Sequence, residues 1–157
     1  MKTLALMISL FATGGELGNG RSVSYPIIGI ETVRPQNWNE LESLGAIKLF
    51  EAGRTPDLES YVYLEAAQVA DLGSETDLAA LVSSRFGETP VQIVEDRELV
   101  FAFAENPGDS DSVKGCAWDA KKDRSLCFSA FAPRSRGRSR AVHSILTNLR
   151  FLDAENF

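Results

Sequence analysis

Two cysteines, Cys116 and Cys127, stand on either side of the segment AWDAKKDRSL, and this stretch restricts the fold more than any other in the chain. Residues 113–119 and 124–132 both alternate side-chain character with the period of two that lets a strand bury one face. With Lys121 and Lys122 at the tip of a turn, Ala120 faces Asp123, and the same register sets Cys116 directly opposite Cys127. A cross-strand disulfide is then within reach, because β-carbons of facing residues in a non-hydrogen-bonded pair lie close enough. Two buried free thiols are the alternative, since unpaired cysteine packs as a small hydrophobe. The compartment decides between them: an exported chain is expected to carry the bond, a cytosolic one is not. Two cysteines and the single histidine, His143, cannot complete a tetrahedral zinc site without carboxylates, so no metal is expected.

After Pro133 the ladder cannot simply continue, and the apolar pattern changes to Val142, Ile145, Leu146 and Leu149, which is helical spacing with one face to a core. Phe151 and Leu152 follow as a short strand or a docked tail. Between proline and helix lies RSRGRSR. In an extended connector Arg134, Arg136, Arg138 and Arg140 project to one side, an arrangement suited to a phosphate, a lipid headgroup or an acidic protein patch. A solubilising loop is the plainer reading. Nucleic acid is not the expected target, because the isoelectric point is near 4.8 and no aromatic residue interrupts the arginine run to stack on bases.

A chain of 157 residues with 44% hydrophobic content fits one domain with a sizeable core. Residues 1–20 read as a secretory signal and leader: Lys2, an apolar run over 4–12, then small residues and the polar GGELGNGRS. A first strand or helix of the domain is the other reading of that run. Residues 21–157 are then one α+β domain, expected in the periplasm or outside the cell. No later run approaches the length that spans a bilayer, so stable membrane insertion is not expected. The net charge of −6 is segregated: 18 acids and 7 bases precede Val113, a balance of −11, and 4 acids and 9 bases follow, a balance of +5. Such a two-signed surface steers a charged partner, unless it is only a set of solvated faces.

Along the chain, residues 23–33 read as one buried strand ended by Pro35, with Trp38 folding back as a core or rim aromatic. Residues 44–51 alternate again, and GRTPD is turn chemistry. A strand over 60–67 puts Tyr61, Tyr63 and Glu65 on one face, which either meets a partner or lies under a helix. Ser74 opens the clearest helix, with acids in its first turn, a stripe of Leu78, Leu81, Val82 and Phe86, and Gly87 as a left-handed cap. Strands over 90–95 and 99–104 flank the turn Asp96-Arg97-Glu98, and 105–112 reads as an acidic loop.

This order of elements resembles the PsbP-like superfamily, which includes an extrinsic photosystem subunit, a Ran-binding Mog-type protein and many small bacterial lipoproteins and chaperones. The features that carry it are the strand ending at Pro35 with Trp38 close by, the helix over 74–86, the meander, the hairpin closing in CFSAFAP, and the terminal ILTNLRFL. The resemblance spans most of the mature chain. It implies an antiparallel β-sheet flanked by helices, an α/β/α sandwich, and a binding role with no shared catalytic set. No functional residue is carried over, because no site motif of the family is matched.

Catalytic constellations are thin. His143 and Ser144 are adjacent, and neighbours on a helix point about 100° apart, which prevents a nucleophile–base pair. The carboxylate pairs Glu95 with Glu98 and Asp109 with Asp111 suit glycosidase chemistry only if burial raises one pKa. The loop with Asp109 and Asp111 lacks the glycine and terminal glutamate of a helix-loop-helix calcium site, and GGELGNG lacks the lysine of a phosphate loop. The expected function is therefore a non-enzymatic, exported protein-binding module without a cofactor, most concretely an immunity or inhibitor protein against a toxic enzyme. Glu105, Asp109 and Asp111 are its candidate contacts for a cationic partner, with Arg134, Arg136, Arg138 and Arg140 as the alternative site. A small ligand-binding or hydrolytic module with a pocket on the sheet is the rival of a different class.

Overall fold

The computed structural model describes residues 20–51, 59–67, 72–87, 91–107, 110–133 and 136–153. The apolar run at the N-terminus, the GRTPD turn, Asp109 and Arg134 lie outside the described residues. In chain order the elements are β1 (Arg21–Tyr25), β2 (Ile30–Arg34), β3 (Asn39–Ser43), β4 (Ala46–Glu51), β5 (Ser60–Ala66), α1 (Glu75–Phe86), β6 (Gln92–Asp96), β7 (Leu99–Pro107), β8 (Ser110–Asp119), β9 (Arg124–Pro133), α2 (Arg136–Thr147) and β10 (Arg150–Phe151). Seven strands form an antiparallel sheet in the order β3-β4-β5-β9-β8-β7-β6, and β1-β2-β10 form a small antiparallel one.

The central hairpin has the register that the cysteines indicate. Cys116 pairs with Cys127, and the ladder ends at Asp119 with Arg124, one rung short of Ala120 and Asp123. The turn opens there because the Asp119 Oδ1 accepts from the amides of Lys121 and Lys122 at 3.0 and 3.1 Å, while Asp123 takes a left-handed φ of 49°. Cys116 and Cys127 form a disulfide, with their Cα atoms 3.9 Å apart. Gly115, beside it, is obligatory: a Cβ there would lie 2.3 Å from the carbonyl oxygen of Ala102 on β7. The bond closes a short loop, so its reduction is expected to cost about 2 to 3 kcal/mol of stability. Urea unfolding with and without reductant measures this, and free thiols in protein purified from an oxidising compartment would refute the bond.

Alternation sorts the large sheet into two faces. On one, Val62, Leu64, Phe101, Phe103, Val113, Phe128, Ala130 and Ala132 meet the small sheet and the α2 stripe of Val142, Ile145, Leu146 and Leu149 in the main core. Trp38 is buried in the same core. On the other, Ala102, Cys116, Trp118 and Cys127 lie under Leu78 and Val82 of α1. Ser74 caps α1 by accepting from the Asp77 amide at 3.2 Å, and Gly87 ends it in the left-handed conformation, its N–H donating to the Ser83 carbonyl at 2.9 Å.

Four expectations need correction. The single strand over 23–33 is a hairpin, β1 and β2, because Pro26 offers no amide to a ladder and Gly29 adopts a φ of 68° that closes the turn. A strand absent from the expectations, β3, pairs with β4, and its five residues are exposed. The acidic loop over 105–112 is instead the end of a β-hairpin: Glu105 pairs with Val113 and Pro107 with Asp111. The arginine connector is not extended. Arg136, Arg138 and Arg140 belong to α2, where alternate positions stand about 200° apart, so these three do not line one side of the chain.

Candidate functional site

The helix α1 packs over β6, β7, β8 and the Cys127 end of β9, and leaves β3, β4, β5 and the Phe131 end of β9 without a helix on that face among the described residues. That half carries an aromatic row. Phe50 on β4 pairs with Tyr61 on β5, Tyr61 with Phe131 on β9, and Phe131 with Ser112 on β8, so strand pairing alone aligns them across the sheet. Tyr61 and Phe131 stack with centroids 5.9 Å apart and an angle of 18°. Lys48 and Tyr63 stand opposite each other in the next row of the same face. The Lys48 ammonium sits 5.2 Å from the Phe50 ring centre and 5.4 Å from that of Tyr61, and pairs with Glu59 at 2.6 Å. Phe50, Tyr61, Tyr63 and Phe131 are all half-buried, and Leu41 on β3, facing Lys48, is 61% exposed. Arg85 of α1 reaches Glu65 of β5 and marks the border where the helix stops.

Two of the sequence candidates, Glu105 and Asp111, belong to strands that end beside this surface. Asp111 pairs with Ala132, one rung beyond the Ser112–Phe131 pair, and Ser110 pairs with Pro133. The tip of the β7–β8 hairpin, with Glu105 and Asp111, therefore lies beside the end of β9, from which the chain enters α2 with its arginines. The strand that carries Asp111 therefore pairs with the strand that leads into the arginine segment. Arg140 is exposed. Lys48, Phe50 and Phe131 were not singled out in the sequence, although Phe131 has the same strand parity as Cys127 and so must share its face.

His143 is 8% exposed on α2, its Nε2 has no hydrogen-bond partner, and desolvation pushes its pKa down to about 4. Ser144 beside it is buried, its carbonyl accepting from the Asn148 amide and side chain. Glu95 and Glu98 are both exposed, and Glu95 interacts with Glu75 of α1, whose pKa rises through the hydrogen bond between the two carboxyls. Among the described residues no three His, Cys, Asp or Glu side chains converge on a common point, and no helix is long and apolar enough to cross a membrane. What the aromatic half-face can do chemically is bind: it offers flat apolar rings, one cation and acidic neighbours, without a nucleophile beside a base.

The architecture defines an α+β antiparallel sandwich, with a helix on each face of a seven-stranded sheet. Within that class the fold is the one shared by PsbP and Mog1. The Ran-binding protein Mog1p of Saccharomyces cerevisiae superposes with a TM-score of 0.55 at 13% identity, covering 88% of this chain and 98% of that one. The cyanobacterial PsbP (CyanoP) of Synechocystis sp. PCC 6803 gives 0.53 at 9% identity, with 87% and 94% covered. A protein of Bacteroides thetaiotaomicron VPI-5482 gives 0.59 at 12% identity over 87% of this chain, which spans 50% of that longer one. No protein-family model and no curated protein sequence matches the chain.

Proposed function

We propose that this chain is an exported, non-catalytic protein-binding module whose partner docks on the aromatic half-face and the hairpin end beside it. The observation that carries the reading is the row Phe50, Tyr61 and Phe131, half-buried on a part of the sheet face that α1 leaves open, with Tyr61 stacked on Phe131. Tyrosine and phenylalanine are among the residues enriched at interface cores, and tyrosine among those enriched at hot spots. A cationic protein fits best, because Glu65 of β5 shares the face of Tyr61 and Tyr63, Glu59 beside Lys48 immediately precedes that strand, and Glu105 and Asp111 belong to the strands of the adjoining hairpin. The disulfide supports export to the periplasm or beyond. Mog1p is by its name Ran-binding, so the fold is known to serve protein recognition. An immunity or inhibitor protein that neutralises a toxic enzyme is the concrete form of this proposal, since basic enzymes acting on anionic envelopes are drawn to an acidic end.

Affinity capture with the mature protein identifies the partner, and kinetics with the two purified components test the site. Tyr61→Ala and Phe131→Ala are expected to speed dissociation about tenfold or more. Neutralising Glu105, Asp109 and Asp111 together slows association and flattens its salt dependence while leaving the fold intact. If these five changes leave binding untouched and replacing Arg134, Arg136, Arg138 and Arg140 abolishes it, the arginine segment is the site instead. A captured enzyme whose activity the protein does not reduce would remove the inhibitor form of the proposal.

A further inference from the structure

The opposite end of the large sheet holds a cleft of about 490 Å³. The turns β6–β7 and β8–β9 meet there with β2 and β10 of the small sheet, which brings Arg97, Lys121, Lys122 and Arg150 to one opening. The volume falls in the range of small-molecule sites. The clamp that forms it is well built. The Lys122 Nζ donates to the Phe151 carbonyl at 2.7 Å and pairs with Asp153 at 3.1 Å, and Arg124 donates to the carbonyls of Leu152 and Ile28 at 3.0 and 3.3 Å. Leu152 in turn donates its amide to the Gly29 carbonyl at 2.8 Å.

The charges in the cleft are not all matched. Asp119 spends an oxygen on the amides of the turn, and Asp153 is engaged by Lys122. Arg97, Lys121 and Arg150 have no carboxylate within ion-pair distance among the described residues, although Glu31 and Glu98 line the same opening. Arg150 is half-buried. Its Nη1 donates to the Leu149 and Thr147 carbonyls, and its Nη2 is buried without a partner among the described residues. Burial and the neighbouring Arg97 guanidinium push the Arg150 pKa down, against the smaller opposing pull of Asp96, Glu98 and Glu31. Two guanidiniums that repel each other, beside an ammonium in a cleft, gain by sharing an oxyanion, whose lone pairs match the planar guanidinium fork.

We propose that this cleft binds a small oxyanion, a carboxylate or phosphate group of a small molecule, held by Arg97, Lys121 and Arg150. Glu31 and Glu98 leave acceptors for a hydroxyl or amine elsewhere on the same ligand. The site is at the far end of the sheet from the docking surface and does not depend on it.

Amide and arginine side-chain NMR signals followed during titration with inorganic phosphate, and separately with citrate, at constant ionic strength test the proposal. Saturable shifts confined to Arg97, Lys121, Lys122 and Arg150 are expected with at least one of the two, and which one saturates tells phosphate from carboxylate. Arg150→Gln should weaken the affinity about tenfold. The double change Arg97→Gln with Lys121→Gln, at exposed turn positions, should do the same if the first variant fails to fold. Shifts that stay linear to about 50 mM with both anions, or that are unchanged in the folded double variant, would overturn it.

Discussion

Replacing Leu146 by alanine is expected to lower the unfolding free energy by about 2 to 5 kcal/mol, measured by urea denaturation. Leu146 is fully buried in the middle of the α2 stripe, between Ile145 and Leu149, against strands of the large sheet. A cavity there cannot collapse easily, because the layer beneath it is hydrogen-bonded backbone. The same substitution at Leu81 of α1 had the same expectation from sequence, since it belongs to that helix's apolar stripe. The structure lowers it: Leu81 is only half-buried and packs at the edge of its cluster, whereas Leu78 and Val82 are fully enclosed. Leu78→Ala therefore takes the larger loss on that side. A loss below about 0.5 kcal/mol at Leu146 would mean that α2 presents another face to the sheet.

Acid should destabilise this protein well before most carboxylates titrate, and His143 is the cause. Its ordinary pKa is 6.5, and burial brings it to about 4 in the folded state. Between those values the unfolded chain binds a proton that the folded chain refuses, so stability falls as the pH drops through this window. Above it His143 contributes no pH dependence, and below it both states are protonated and the slope vanishes. The full loss is about 3 kcal/mol, at about 1.4 kcal/mol for each pH unit separating the two values. His143→Leu removes the titrating group without leaving a buried polar atom in its place. The difference in stability between the wild type and this variant, followed from pH 7 to pH 4, should change by that amount, and parallel curves would show that the imidazole is solvated.

Much of the fold was legible because local chemistry and tertiary demand agree. The two cysteines and the lysine-rich turn point to one hairpin register, and Ser74 and Gly87 bracket a helix with caps that satisfy its free ends. Where they disagree, local chemistry misleads. The sequence NELES of β3 has little strand character, and pairing with β4 makes it a strand. The serines and glycine of the arginine run suggest a loop, yet the apolar stripe that begins at Ala141 anchors a helix whose first turns extend back to Arg136. Pro26 and Gly29 were visible turn signals inside residues 23–33, overshadowed by the isoleucines between them.

The candidate site was half legible. The parity of Tyr61 and Tyr63 marks a shared face, and the charge segregation marks the hairpin and the arginine segment. Their convergence was not, because it rests on the pairing of β5 with β9, strands more than sixty positions apart in the chain. The oxyanion cleft needs four separate segments to meet, and no local pattern announces that.

The small sheet joins the two ends of the described chain: Glu31 of β2 pairs with Arg150 of β10. Such a ladder joins segments about 120 positions apart, and its loop-closure entropy must be met before any of its contacts form. During synthesis from the N-terminus the β1–β2 hairpin emerges first and waits with the β2 edge unpaired until the segment after α2 has been made. The large sheet, built from neighbours in sequence except where β5 meets β9, can be nearly complete by then. The two-residue strand β10 is thus a closing latch, and it ties completion of the small sheet to the arrival of the segment that follows α2.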